Sequence, residues 1–233
     1  MNYRSTEPEL MDDLSLSSEA LMEALQDISR VNRLLGGNHI TLAATYQLIQ
    51  KYAKQQHVTI VDVGCGDGTQ LRELAVFLRK KKVHFSLVGI DINEKSLTIG
   101  RSLSKDFPEI SFKNHDVLTL TKDAFPCDII VTTLTLHHFT DQEIPKFMKQ
   151  FYELSRLGIV VNDLQRSRLA YMLFRVFSFF FIKSPVAKND GLVSIQRGFK
   201  KQELQQFSKS LSFKNYSVTW KWAFRYLWVV IKD

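Results

Sequence analysis

Residues 60–69, IVDVGCGDGT, run a β-branched stretch into an acid and then into glycines at 64, 66 and 68. A short apolar run that ends this way reads as a buried strand turning sharply into a helix start. No side chains shield the turn, so its backbone amides can approach a ligand closely. The helix start adds partial positive charge at the same place. The loop is built to hold something, and the rest of the chain must say what.

Around it, strand and helix alternate. A strand at 58–63 is followed by helical segments at 69–81 and 94–106, interleaved with strands at 84–91 and 110–114. Then come CDIIVTT at 127–133, a helix over 141–154 and LGIVVND at 157–163. Short apolar strands separated by helices imply a parallel sheet covered on both faces. After residue 165 the rhythm breaks. Residues 167–182 and 200–210 read as helices, and 212–222 and 224–232 as two strands with no helix between them, a hairpin that adds one antiparallel strand. Three helical segments precede the first strand. One opens at Thr6 with capping-box spacing and runs toward Asp13. A second, over 18–35, repeats Leu21, Leu25, Ile28, Val31 and Leu35 and stops at Gly36 and Gly37, and a third covers 40–53.

A chain of 233 residues supports one core and a lid, too little for two ordinary enzyme domains. Its formal charge of +7 favours anionic partners, but acids and bases are interspersed and no arginine–aromatic array suggests a nucleic-acid surface. Cys65 and Cys127 are too far apart in sequence for a zinc pattern or a disulfide scaffold, so neither a metal nor an oxidising compartment is expected. The charged start of the sequence lacks the apolar core of a signal peptide. The expected location is the cytoplasm.

Two nucleotide-binding readings of the loop fail. Thr69 stands where a dinucleotide fingerprint needs its third glycine, and no Gly-Lys-Ser or Gly-Lys-Thr follows for a phosphate loop. The stretch Asp62-Val-Gly64-Cys-Gly66-Asp-Gly68 instead resembles the first motif of the class I S-adenosylmethionine-dependent methyltransferases. LVGIDIN at 87–93, NHDVLTL at 114–120 and CDIIVTTLTLHHF at 127–139 resemble that family's next three strand ends. The resemblance covers about the middle half of the chain. It implies an α/β, Rossmann-like seven-stranded sheet, mostly parallel, with a C-terminal antiparallel hairpin, helices on both faces and an N-terminal helical cap. The cap would be residues 1–55. Residues 56–233 would form the cofactor-binding domain, with a helical lid inserted near 165–200, all in one compact unit.

The resemblance also implies S-adenosyl-L-methionine as cofactor. Asp62, Gly64, Cys65, Gly66 and Gly68 would form its loop. Asp91, beside Ile92, would take the two ribose hydroxyls, Asp116 and Val117 would meet the adenine, and Thr133 would lie at the end of the fourth strand. A carboxylate suits a vicinal diol because its two oxygens accept two donors. Each acid also has a plainer reading as a helix cap. Asp91 follows Gly64 by 27 residues, more than the roughly 20 usual in dinucleotide folds, and the basic stretch at 79–82 absorbs the difference. Cys65 reads as a small packing residue. Arg33, on a helix that would cover the cofactor, could pair with its carboxylate or simply face solvent. Arg197 could serve substrate or fold.

Methyl transfer from a sulfonium needs alignment, exclusion of water and, for a hydroxyl acceptor, a base. His137 and His138 lie just past the fourth strand, where the methyl group is expected, and either could be that base or merely cap or pack. The Asn/Asp-Pro-Pro-aromatic motif of amino-group methylases is absent after that strand. The loop is closer to small-molecule methyltransferases of the ubiquinone and menaquinone biosynthesis type. Residues 167–183, SRLAYMLFRVFSFFFIK, carry more aromatics than one helix stripe can bury, yet are too short and interrupted to span a bilayer. They imply an apolar substrate, a membrane surface or a dimer mate. The expected activity is O-methylation of a small apolar phenolic, quinol or polyketide-like acceptor. A protein or RNA methyltransferase and a non-catalytic binding protein that kept the fold are the alternatives.

Overall fold

A computed structural model describes residues 1–13, 15–122 and 125–232, so positions 14, 123, 124 and 233 of the expected ranges lie outside it. The strands are β1 (His57–Val63), β2 (His84–Asp91), β3 (Ile110–Asn114), β4 (Cys127–Thr133), β5 (Ser155–Leu164), β6 (Asn215–Lys221) and β7 (Arg225–Ile231). They form one sheet in the order β3-β2-β1-β4-β5-β7-β6. Only β7 runs against its neighbours, pairing antiparallel with β5 and β6. The expected seven-stranded sheet with its hairpin is therefore present. Strand order reverses between β1 and β4, and the carboxyl ends of those strands open the crevice in which such sheets bind ligands.

Eight α-helices accompany the described strands: α1 (Ser18–Leu34), α2 (Gly37–Tyr52), α3 (Thr69–Lys80), α4 (Glu94–Leu103), α5 (Ile144–Leu154), α6 (Arg168–Phe181), α7 (Pro185–Arg197) and α8 (Lys201–Ser210). Side chains alternate across the sheet. From β1, Val58 and Ile60 join Leu48 and Ile49 of α2 and Leu71, Leu74 and Leu78 of α3 in one core. Val61 and Val63 point the other way, toward Phe147, Met148 and Phe151 of α5, Leu204 of α8 and Trp228 of β7. Each such burial contributes about 1.5–3 kcal/mol, which is why near-continuous apolar strands demand two helical layers.

The N-terminal region differs from the sequence expectation in two respects. No α-helix opens at Thr6; a 3-10 turn, Leu10–Asp12, stands there instead. The backbone amides of Leu10 and Met11 donate to the Asp190 carboxylate of α7 at 2.8 and 2.9 Å, so distant acceptors replace local helical ones. The third helix also starts earlier than residue 40, at Gly37. Gly36, at φ 71°, turns the chain out of α1, and α2 then packs into the sheet core as a flanking helix.

The segment near 165–200, expected as a lid, is α6 followed by α7. It is joined to α1 by Asp27, whose Oδ2 accepts from the amides of Lys183 and Ser184 at 2.7 and 2.8 Å. Ala24, Val31, Ile182 and Ala187 fill the seam between them.

Candidate active site

The glycine loop closes over β1 as the sequence implies. Gly64, Gly66 and Gly68 all have positive φ, at 72°, 53° and 72°. A Cβ on Gly64 would meet Thr135 Cγ2 at 2.3 Å, and one on Gly68 would meet the Phe112 ring at 2.5 Å. The amides of Gly64 and Cys65 donate to Ile90 O, which fastens the loop to the end of β2. Burial and the surrounding acids push the Cys65 thiol up, and its Sγ packs against Gly89, as befits a space-filling residue.

Asp91 accepts from Gly66 N through Oδ2 and from Asn93 N through Oδ1, both at 2.9 Å. It does not cap α4. Asn93 does, accepting from Lys95 N and Ser96 N, so the Asp91 carboxylate lines the cavity above the loop. Asp116, in contrast, spends Oδ1 on Leu118 N at 2.9 Å, capping a 3-10 turn over Val117–Thr119. The capping reading thus holds for Asp116, although it too borders the cavity, with Ile92 and Val117 beside it. Thr133 Oγ1 lies 2.9 Å from Thr41 Oγ1 at the end of β4.

Deeper in the cavity, buried polar atoms stand without partners among the described residues. They are Asp62 Oδ1, Gln70 Oε1, Asn38 Nδ2 and the Nε and Nη1 of Arg225. Each would cost about 1–3 kcal/mol if left unmet. A ligand end carrying both an ammonium and a carboxylate would satisfy acceptors and donors together. Burial, then the charge of Asp91, pushes the Asp62 carboxyl up to about 8. Burial also lowers Arg225 to about 10, against the pull of Asp163. Arg225 Nη2 donates to Asn32 Oδ1 at 2.7 Å.

Arg33, the expected carboxylate partner, is not brought to this place. It is 68% exposed and pairs with Glu73 of α3 at 3.0 Å, outside the cavity. Arg225, at the start of β7, is the buried guanidinium that lines the cavity there.

His137 and His138 form a 3-10 turn with Leu136 after β4, and both line the cavity. His137 is sealed between Asp163 Oδ1, 2.7 Å from Nδ1, and Glu9 Oε1, 3.2 Å from Nε2. Burial opposes charge on the ring, but the two carboxylates outweigh it and push His137 up to about 10. His138 is a quarter exposed, with Nδ1 3.0 Å from Asp12 Oδ1 and Nε2 3.6 Å from Glu9 Oε2. Arg197 donates from Nε to His137 O at 3.0 Å and from Nη2 to His138 O, so it serves the fold of this turn. Arg4 Nη2 donates to the carbonyls of His137 and Phe139 at 3.0 and 2.8 Å.

Together these walls enclose about 1210 Å³, closed on the far side by Leu173, Phe174, Phe177 and Phe180 of α6. Residues 60–158 match the family model described as a methyltransferase domain. Over those residues the chain carries a methyltransferase domain of the class I S-adenosylmethionine-dependent type. Its cofactor is S-adenosyl-L-methionine, and the unpartnered polar atoms around Asp62 and Arg225 fit the amino-acid end of that molecule.

This methyltransferase is 26% identical over 181 residues to a carboxy-S-adenosyl-L-methionine synthase of Campylobacter hominis, covering 72% of the chain and 75% of the relative. It is 27% identical over 165 residues to a malonyl-[acyl-carrier protein] O-methyltransferase of Bacillus cytotoxicus, covering 68% of the chain but only 53% of that relative. In fold it resembles the plantazolicin methyltransferase BpumL in complex with SAH, at a TM-score of 0.68 and 14% identity over 96% of the chain and 98% of the other.

Sequence reasoning missed Glu9, Asp12 and Arg225, which line the cavity, and Asp163, which holds His137 from behind. Asp163 ends β5 much as Asp91 ends β2, so the strand-end rule could have found it. Glu9 lies in a segment without periodicity, and Arg225 reaches the site only through the pairing of β7 with β5, opposite Leu164.

Proposed function

We propose that the protein transfers a methyl group to a hydroxyl on a small apolar acceptor of phenolic, quinol or polyketide-like type. The observation that carries this reading is the cavity. At about 1210 Å³ it exceeds the roughly 300–1000 Å³ of ordinary ligand pockets, leaving room for cofactor and acceptor together. The share left to the acceptor is walled by Leu173, Phe174, Val176, Phe177 and Phe180 on one side and by the Glu9–His138 edge on the other.

In this reading Gly64, Gly66, Gly68 and Asp62 seat the methionyl part, and Arg225 takes its carboxylate. Asp91 takes the ribose, while Ile92, Asp116 and Val117 border the adenine and Thr133 lies near the sulfur. The methyl then moves as a cation from sulfur to the acceptor oxygen. Apolar walls exclude the water that would compete for it. The acceptor's proton passes to the Glu9–His138 edge. His137, held protonated by Asp163 and Glu9, fixes that edge and does not itself take the proton.

The exposed rings of α6, Phe179 at 75% and Phe180 at 71%, support contact with an apolar surface, a bilayer or a second copy of the chain. No described helix is long and apolar enough to cross a membrane. The buried free thiols of Cys65 and Cys127 support a reducing location, the cytoplasm. We expect no nucleic-acid partner.

Incubation with S-adenosyl-L-methionine and a panel of phenols, quinols and polar amines, read by mass spectrometry, tests the reading. Methylation confined to polar amines, peptide or RNA would overturn it, as would failure to bind the cofactor, which would leave only a binding module. A second reading follows from the Campylobacter hominis relative, a carboxy-S-adenosyl-L-methionine synthase. A carboxylated sulfonium among the products would establish that reading in place of the first.

A further inference from the structure

The turn that carries His137 and His138 holds more ligand atoms than proton transfer requires. Both imidazoles bring Nε2 close to the Glu9 carboxylate, at 3.2 Å to Oε1 for His137 and 3.6 Å to Oε2 for His138. Each Nδ1 meets a different carboxylate, Asp163 Oδ1 at 2.7 Å and Asp12 Oδ1 at 3.0 Å. An imidazole steadied at one nitrogen by a carboxylate, with the other nitrogen turned to a common centre, is how proteins orient histidines toward a metal.

Three further observations agree. The His137 ring is 2% exposed, and its Nε2 has no hydrogen-bond partner among the described residues, because its N–H would not aim at Glu9 despite the short separation. One atom each from Glu9, His137 and His138 can be chosen so that all lie within 4.8 Å of one another. An ion about 2.0–2.2 Å from nitrogen and oxygen ligands has tetrahedral edges of about 3.3–3.6 Å, and each imidazole lies close to that distance from one oxygen of the Glu9 carboxylate. Finally, ligation displaces the proton that His137 holds in the metal-free chain, and a dication then replaces that positive charge among Glu9, Asp12 and Asp163.

We infer that Glu9, His137 and His138 form a binding site for a divalent first-row transition-metal ion, with Asp163 and Asp12 orienting the two rings. Imidazole with carboxylate selects ions such as Zn²⁺, Co²⁺ or Fe²⁺ over Mg²⁺ and Ca²⁺, which prefer oxygen alone. All three ligand residues line the cavity, so a fourth position opens toward the acceptor. The site itself does not depend on the acceptor's identity. Its consequence rests on the hydroxyl reading above: an acceptor hydroxyl on the fourth position loses its proton to solvent, and its oxygen then bonds the methyl carbon as the carbon–sulfur bond breaks. In that state His138 is a ligand, and the ion supplies the acidification otherwise assigned to the histidine edge.

The test uses the purified chain, stripped with a chelator, then titrated with Zn²⁺ by calorimetry and with Co²⁺ by visible absorption. One ion per chain and the absorption bands of tetrahedral Co²⁺ are expected. Glu9→Gln and His138→Ala should each weaken binding more than about tenfold, and Asp163→Asn, which removes an orienting partner, by about 10- to 100-fold. Affinity for S-adenosyl-L-methionine, measured on the same samples, reports that the variants are folded. Absence of saturable metal binding overturns the inference, and so does an unchanged Zn²⁺ affinity in the Glu9→Gln/His138→Ala double variant. Failure to bind the cofactor is a separate result, bearing on the methyltransferase reading and not on the ion.

Discussion

His137 Nδ1 and Asp163 Oδ1 lie 2.7 Å apart with both side chains sealed from solvent, joining the turn after β4 to the end of β5 through a buried charge-assisted contact. Such a pair is strong only while its proton is held, and removing one partner strands the other.

The pair makes stability depend on pH in a defined window. His137 rises from an ordinary 6.5 to about 10 in the folded chain, so between those values the folded state binds more protons than the unfolded one. Its stabilising contribution is complete below about 6.5 and is lost as pH climbs through about 10. Thermal unfolding of the metal-free protein should therefore show a falling midpoint across that interval. Asp163→Asn should lower the midpoint at neutral pH and flatten the slope. An unchanged slope in the variant would refute the assignment.

Asp62 gives a second pH signature. Burial, then the charge of Asp91, raises its carboxyl from 3.8 to about 8, so the stability of the cofactor-free chain falls as pH rises between those values. Asp62→Asn should remove that loss and stabilise the free chain at pH 8 by about 1–3 kcal/mol, the cost of an unmet buried polar group. Cofactor binding has the opposite sign, since a cationic ligand favours the ionised acid. Calorimetry at pH 7 should show a proton released on binding in the wild type and none in Asp62→Asn.

Arg225 and Arg33 can be separated directly. Arg225→Met should weaken S-adenosyl-L-methionine binding by about 1.5–3 kcal/mol, as for a lost charge-assisted hydrogen bond. Arg33→Ala, on an exposed pair with Glu73, should leave affinity within about twofold, because such pairs contribute little. Equal effects from the two would disprove the exchange of roles.

The exposed rings of α6, of which Phe180 lines the cavity, should matter to the acceptor more than to the fold. Phe179→Ser with Phe180→Ser removes two exposed rings, so the unfolding free energy should shift by less than about 0.5 kcal/mol per site. For acceptors with long apolar tails kcat/KM should fall on the order of tenfold, with little change for short ones. A uniform loss across both classes would point instead to damage at the cofactor end.

What the sequence revealed of this site followed its locality. The glycine loop and Asp91 are read from a few adjacent residues, because strand, turn and helix start are contiguous there. Arg33 misled because it is near the right helix but on the wrong face. Val31 and Asn32 of α1 are buried, and one further residue, turned by about 100°, faces out. The capping reading of Asp116 prevailed because the turn that follows left an amide within its reach. Glu9 and Arg225 were not legible at all. Their positions are set by the seating of residues 1–13 on α7 and by the register of β7 against β5, both decided by packing between distant segments.

Arg225 belongs to a strand near the end of the sequence, whereas the glycines it faces across the cavity lie within its first third. During synthesis the cofactor loop leaves the ribosome long before β7 can pair with β5. A nascent chain therefore carries the recognisable motif but lacks the cation that would fasten the methionyl carboxylate. In the proposed binding mode the cofactor therefore binds more tightly to a chain that has finished its sheet, and its binding stabilises completed molecules most.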